Sequence, residues 1–158
     1  TIGPGSLFTT VIACLLIGGI TEALSDTRAL CAYICNTTTQ PGQTDGYTVS
    51  AHVRQIVAYL GRGNLDVVMF NTAQPPASVA ERLAGDGVYM MPVTDDEVTA
   101  VRTMGVTPVL GPYIEEHDEQ RRLWNKQDSV RHNPSLIARA LVSLLDADST
   151  RAPRLAGH

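Results

Sequence analysis

Residues 30–60 read LCAYICNTTTQPGQTDGYTVSAHVRQIVAYL. The first six, Leu30 to Cys35, form a continuous apolar run, the pattern of a strand covered on both faces. From Val49 the spacing changes: Val49, Val53, Ile56, Val57 and Leu60 recur at helical intervals, and Gly61 and Gly63 close the helix. Thr48 or Ser50 suits its cap. Between strand and helix lies Asn36 to Thr48, with two glycines, a proline, five threonines and a single carboxylate, Asp45. Gly42 and Gly46 permit turns at positive φ, and Pro41 stiffens the entry. The composition predicts a polar loop that does not bury itself as core. In a parallel sheet it emerges at the carboxyl edge, where open α/β folds bind ligands. Its length points the same way, because long loops in compact domains are often functional.

Reading outward, Thr1-Ile2 looks like the end of a strand. Gly3-Pro4-Gly5-Ser6 then leads into Leu7-Phe8-Thr9-Thr10-Val11-Ile12. A glycine turn feeding a helix amino end offers free N–H groups and the positive pole of the helix dipole, a cradle for phosphate or carboxylate. Ser6 suits the N-cap. The helix is expected to break near Gly18-Gly19, and a second run covers Ile20 to Arg28 with Glu22, Asp26 and Arg28 outward. Downstream, Leu65 to Phe70 repeats the apolar-strand pattern and ends in Asn71-Thr72, so Asn36 and Asn71 are expected in one crevice. A helix follows from Ala77 to Ala84, then a short strand from Val88 to Val93. Thr94-Asp95-Asp96-Glu97 reads as a capping box, with Glu97 reaching back, for a helix to about Met104 stopped by Gly105. Val106 to Leu110 is a further strand. Gly111 to Asp128 is polar and weakly periodic, a lid or insertion in which Trp124 plugs the loop onto the body or stacks on a ligand. Asn133 caps and Pro134 starts a last helix carrying Leu136, Ile137, Ala140, Leu141, Leu144 and Leu145. Helices alternating with apolar strands predict a three-layer α/β sandwich with a mostly parallel sheet. Residues 1–147 would form one domain, truncated at its amino-terminal side, and 148–158 a disordered tail.

Composition narrows the function. A chain of 158 residues with a 44% hydrophobic fraction can bury a real core. The net charge of −4 and the lack of a basic stripe argue against nucleic acid. The apolar run Val11 to Ile20 is too short to span a bilayer, which argues against a membrane. Three cysteines, Cys14, Cys31 and Cys35, form neither a disulfide framework nor a metal-ligand spacing, as expected in a reducing cytoplasm. A homo-oligomer is compatible with this composition. No GxGxxG, P-loop, GxSxG or HExxH motif occurs. A lone histidine placed like His52 is more often a surface residue than a catalyst, but beside Asp45 it becomes a candidate ligand contact.

GPGSLFTT at 3–10, LLIGGITEAL at 15–24, CNTTTQPGQTDGYTVSAHV at 35–53 and RHNP at 131–134 together resemble the gluconeogenesis-factor branch of the CofD-like superfamily, which also holds the 2-phospho-L-lactate transferases. The most specific element is TQPGQTDGY. The resemblance implies a Rossmann-like fold whose amino-terminal half, with a GGGTG nucleotide loop, lies outside this chain. It implies a UDP-sugar or similar nucleotide as ligand, and a role in carbon metabolism, cell-wall homeostasis and cell shape. By the same resemblance Gly3, Gly5, Ser6 and Leu7 form the phosphate-side loop. Asn36, Thr39, Gln40, Thr44, Asp45 and Gly46 line the crevice, and Arg131 and His132 belong to the later motif. The chain departs from the branch at Ala13-Cys14 (usually Pro-Asn), Gly18 (Pro), Ala51 (Asp) and Asn133 (Asp).

Two functions compete. A nucleotide-sugar-binding regulator needs only a helix amino end for phosphate and polar groups for sugar and base. A phosphotransferase of deazaflavin-coenzyme synthesis would also need a divalent metal such as Mg and a base. For that reading Asp45 is the candidate base or metal ligand, and no further metal ligands are assigned. The TQPGQTDGY loop favours the regulator.

Overall fold

The computed structural model describes residues 1–115 and 130–148. The chain opens with Ile2, which pairs in parallel with Tyr33. Helix α1 starts as a π-helix over Leu7–Ile12 and tightens to α-helix over Ala13–Leu15. There follow α2 (Ile20–Asp26), β1 (Ala32–Ile34), α3 (Val49–Leu60), β2 (Val67–Asn71), α4 (Ala77–Gly85), α5 (Asp95–Thr103), β3 (Thr107–Gly111) and α6 (Pro134–Asp148). The sheet order is β1-β2-β3, all parallel, with Ala32 opposite Val67 and Val67 opposite Thr107. Ile2 extends the sheet beyond β1 through Ile2 N–H to Ala32 O (2.7 Å) and Ile34 N–H to Ile2 O (2.9 Å). The α/β fold with a parallel sheet is therefore as read from the chain.

Side-chain alternation along the strands sorts two cores. Tyr33, Cys35, Val68 and Phe70 pack with Leu7 and Val11 of α1 and with Val53 and Ile56 of α3. Ile34 and Met69, opposite one another in register, turn to the other face and meet Tyr113 and Ile137, with Leu136, Ala140 and Leu141 of α6 against them. Helices thus cover both faces, the three-layer arrangement expected for strands without polar alternation. Each fully buried side chain such as Ile56 or Phe70 contributes about 1.5–3 kcal/mol by leaving water. β3 differs from the others: it is the outer strand of the described sheet, Leu110 is 48% exposed, and Pro108 is tolerated there as it would not be in a central strand.

Some local expectations change. Val88 to Val93 is not a strand; only Met90 bridges, antiparallel to Thr38. Ser6 does not cap α1 with its side chain, and its carbonyl instead takes both Thr10 N–H (3.1 Å) and Val11 N–H (3.0 Å), the shared acceptor of a π-turn. The break at Gly18-Gly19, the Thr48 and Thr94 caps, the stop at Gly105 and the Asn133-Pro134 start of α6 are all observed. Trp124, most of the 111–128 segment and residues 149–158 lie outside the described residues.

Candidate functional site

The segments that follow Ile2, β1, β2 and β3 all leave the sheet at its carboxyl edge. The first turn is built on Gly3, at φ 70°, where a Cβ would stand 2.9 Å from the Ile34 carbonyl oxygen. Only glycine fits so close to the neighbouring strand. The turn delivers α1 with its amino end uncapped by any side chain, so its first N–H groups are open to an anion. Ser6 reaches across instead: its hydroxyl donates to Gln43 Oε1 (2.8 Å) and accepts from Thr9 (2.7 Å). This bond joins the Gly3–Ser6 turn to the Gln40–Gly46 segment, 37 residues away.

The long loop is half framework and half site. Against expectation, Thr37, Thr38, Thr39 and Thr44 are buried. Three of the four hydroxyls have backbone partners inside. Thr37 donates to Val130 O (2.7 Å), Thr39 accepts Tyr89 N–H (3.0 Å), and Thr44 accepts Gln40 N–H (2.8 Å). Residues 37–39 run against 89–91, with Thr39 N–H on Tyr89 O (2.9 Å) and Met91 N–H on Thr37 O (3.1 Å). Thr39 and Thr44 therefore hold the loop rather than line a crevice. From Gln40 the chain coils outward: Gln43 and Thr44 N–H both reach Gln40 O, and the exposed Asp45 carboxylate takes Gly42 N–H (2.7 Å). Gly42 and Gly46 carry the positive φ this turn requires, 76° and 69°.

Other predicted residues separate likewise. Asn71 does not open into the crevice with Asn36. It is buried, its Oδ1 accepts from Ala73 N–H (3.1 Å) and Tyr113 N–H (2.9 Å), and its Nδ2 donates to Ala73 O (2.8 Å), which clips the end of β2. Asn36, half-buried, sits over Tyr33, whose hydroxyl lies 3.5 Å from Asn36 Oδ1. Leu7 is core. His132 Nε2 donates to Cys35 O (3.0 Å), bringing the RHNP segment onto the end of β1, and burial holds its pKa below the usual histidine value. The Arg131 side chain is exposed beside it. The Cys35 thiol is buried and pushed up to about 12, so it is an inert core group.

His52 is buried, not on the surface. Its Nδ1 donates to Thr48 O (2.9 Å), and burial lowers its pKa. Tyr47 stands edge-on to it at 5.6 Å, and Phe8 edge-on to Tyr47 at 5.9 Å, linking α1, the loop and α3. Phe8, Gln43 and Tyr47 were not singled out from the chain, although two of them lie in the loop itself. Glu97 is the larger surprise. It does not reach back to its own helix: Oε2 accepts Ser50 N–H (2.7 Å) and so caps α3 from α5. Burial alone would raise its pKa, but the Ser50 N–H and hydroxyl, the Thr48 hydroxyl and nearby Arg54 hold it below the usual carboxylate value. The α3 amino end is thus filled by the protein's own anion. Among the described residues no three His, Cys, Asp or Glu side chains come together as a metal site, so they do not supply a cage for Mg by themselves.

The geometry agrees with what the chain is similar to. Gluconeogenesis factors from Halalkalibacterium halodurans and Bacillus subtilis are 35% and 31% identical to it over 89% and 91% of its length. The chain spans about 40% of the length of these relatives, 40% and 42%. Two crystal structures of a UPF0052-family protein from Bacillus halodurans match with TM-scores of 0.75 and 0.77 at 32% and 33% identity, over 89% of this chain and 41% and 42% of theirs. The family model described as 2-phospho-L-lactate transferase CofD matches residues 1–114. The chain belongs to the CofD family, and its relatives there are gluconeogenesis factors.

Proposed function

We propose that the chain carries part of a nucleotide-sugar site, with a UDP-sugar as ligand, in a cytosolic regulator of carbon metabolism, cell-wall homeostasis and cell shape. The observation that carries the reading is the Ser6–Gln43 bond, which sets the uncapped amino end of α1 beside the exposed Gln40–Gly46 turn. Phosphate would meet the α1 N–H groups, and the turn's side chains, with Arg131, would meet sugar and base. Three free thiols, two of them buried, suit a reducing compartment. The test is titration of the full-length protein with UDP-glucose. Gly5→Ala adds a methyl to the turn beside the α1 amino end, where its Cβ meets Thr10 at 3.4 Å and Val11 at 3.6 Å. Binding should be lost with stability kept, and unchanged binding would reduce the turn to a structural bend.

The family description supports a second reading, transfer of a phospho-lactyl group from a nucleotide diester to an alcohol. Its base or metal ligand would be Asp45, already engaged by Gly42 N–H, and its metal would need carboxylates beyond the described residues. Acceptor-dependent release of free nucleotide by the full-length protein with Mg would establish it, and its absence across acceptors would remove it.

A further inference from the structure

Among the described residues, two buried side-chain polar atoms have no hydrogen-bond partner, Gln40 Oε1 and His52 Nε2. His52 is the sharper case. Its Nδ1 faces the Thr48 carbonyl oxygen at 2.9 Å, and a carbonyl can only accept, so the ring proton is on Nδ1. Nε2 is then a bare lone pair inside a fully buried ring. A buried acceptor left without a donor is costly, which makes it a place to expect a function. Leu or Phe would fill the same volume without that cost.

The surroundings say what could reach it. The half-buried Tyr47 ring stands edge-on to His52, and Tyr47 follows Gly46, at φ 69° with nothing within 4 Å of a Cβ position. The Tyr47 ring thus covers His52 from the loop side, directly after the Gln40–Gly46 turn that carries the second orphan acceptor. We propose that His52 Nε2 is an acceptor subsite for a neutral hydrogen-bond donor of the ligand, uncovered when Tyr47 turns aside. The inference rests on reading the crevice as a nucleotide-sugar site and deepens it. The donor is either a sugar hydroxyl or a base N–H.

This chain has four histidines, and in the full-length protein selective ¹⁵N-histidine labelling with His52→Gln as the comparison assigns the His52 signal. Spectra are taken free, with UDP and with UDP-glucose, beside thermal melts. A His52 Nε2 signal that moves with UDP-glucose alone identifies a glucose hydroxyl, and one that moves with both identifies a donor of the uridine, its base N–H or a ribose hydroxyl. His52→Leu should then weaken UDP-glucose by on the order of tenfold, and His52→Gln, which can keep an acceptor near Nε2, by about threefold or less. If the melt rises with UDP-glucose but Nε2 stays still and His52→Leu binds like wild type, the subsite is overturned and the crevice reading stands. If neither the melt nor Nε2 responds, both are overturned.

Discussion

Gly3 shows how one atom constrains the Gly3–Ser6 turn. Its φ of 70° and the 2.9 Å approach of a would-be Cβ to Ile34 O penalise any side chain twice. Gly3→Ala should therefore cost about 2 kcal/mol or more, whereas Gly42→Ala, with similar φ and open space, should cost about 1 kcal/mol. Urea midpoints of the two variants check the order. His52 and His132 are both held below the ordinary histidine value of 6.5 by burial. The unfolded chain then binds protons that the folded chain refuses, so stability present above about pH 6.5 should be lost as pH falls through the folded pKa values. Melts between pH 8 and 5 test this, and the slope should shrink in His52→Gln. At this scale the chain was legible for glycine and caps, because φ and first-turn chemistry are local. It was not legible for His52, whose burial is decided by Tyr47 and the packing of α3.

Among the elements, α3 is held at its amino end by Thr48 from its own chain and by Glu97 from α5. Glu97→Ala should cost about 1 kcal/mol, the usual worth of a lost cap. Because the folded pKa of Glu97 is depressed from 4.5, its contribution is present above that value and is lost as pH falls through the folded pKa. Wild type and Glu97→Ala should therefore converge in stability in acid, and a constant gap would deny the carboxylate this role. Thr39→Val removes the acceptor of the Tyr89 N–H and should cost about 0.5–1.5 kcal/mol by chemical denaturation. Helices, strands and their order were readable from periodicity. The capping box was half readable: Thr94 does accept Glu97 N–H, but the Glu97 carboxylate goes to a helix 47 residues away, which no local pattern encodes. The buried threonines have the same cause, since 37–39 pair with 89–91 only after the loop folds over β1. The reading of Val88 to Val93 as a strand saw that apolar partner without seeing that it serves the loop.

The described part of the molecule is a parallel sheet covered on both faces, with the loops of the candidate site at one edge and Ile2 pairing outside β1. Among the described residues no single helix is long and apolar enough to cross a membrane. The chain spans about 40% of the length of the Halalkalibacterium halodurans and Bacillus subtilis gluconeogenesis factors. The layer arrangement and the central loop were legible because alternating apolar strands and amphipathic helices allow few packings. Which loop groups stay free for a ligand was not, because that depends on contacts between loops. The most direct test of the central claim is the thermal melt of the full-length protein with and without UDP-glucose. At about 100 times its dissociation constant a ligand adds about 2.7 kcal/mol. A cooperative transition raised by several degrees in the wild type and unmoved in Gly5→Ala is the predicted result. A wild-type transition that UDP-sugars leave in place, or an equal rise in Gly5→Ala, would contradict a nucleotide-sugar site at the α1 amino end.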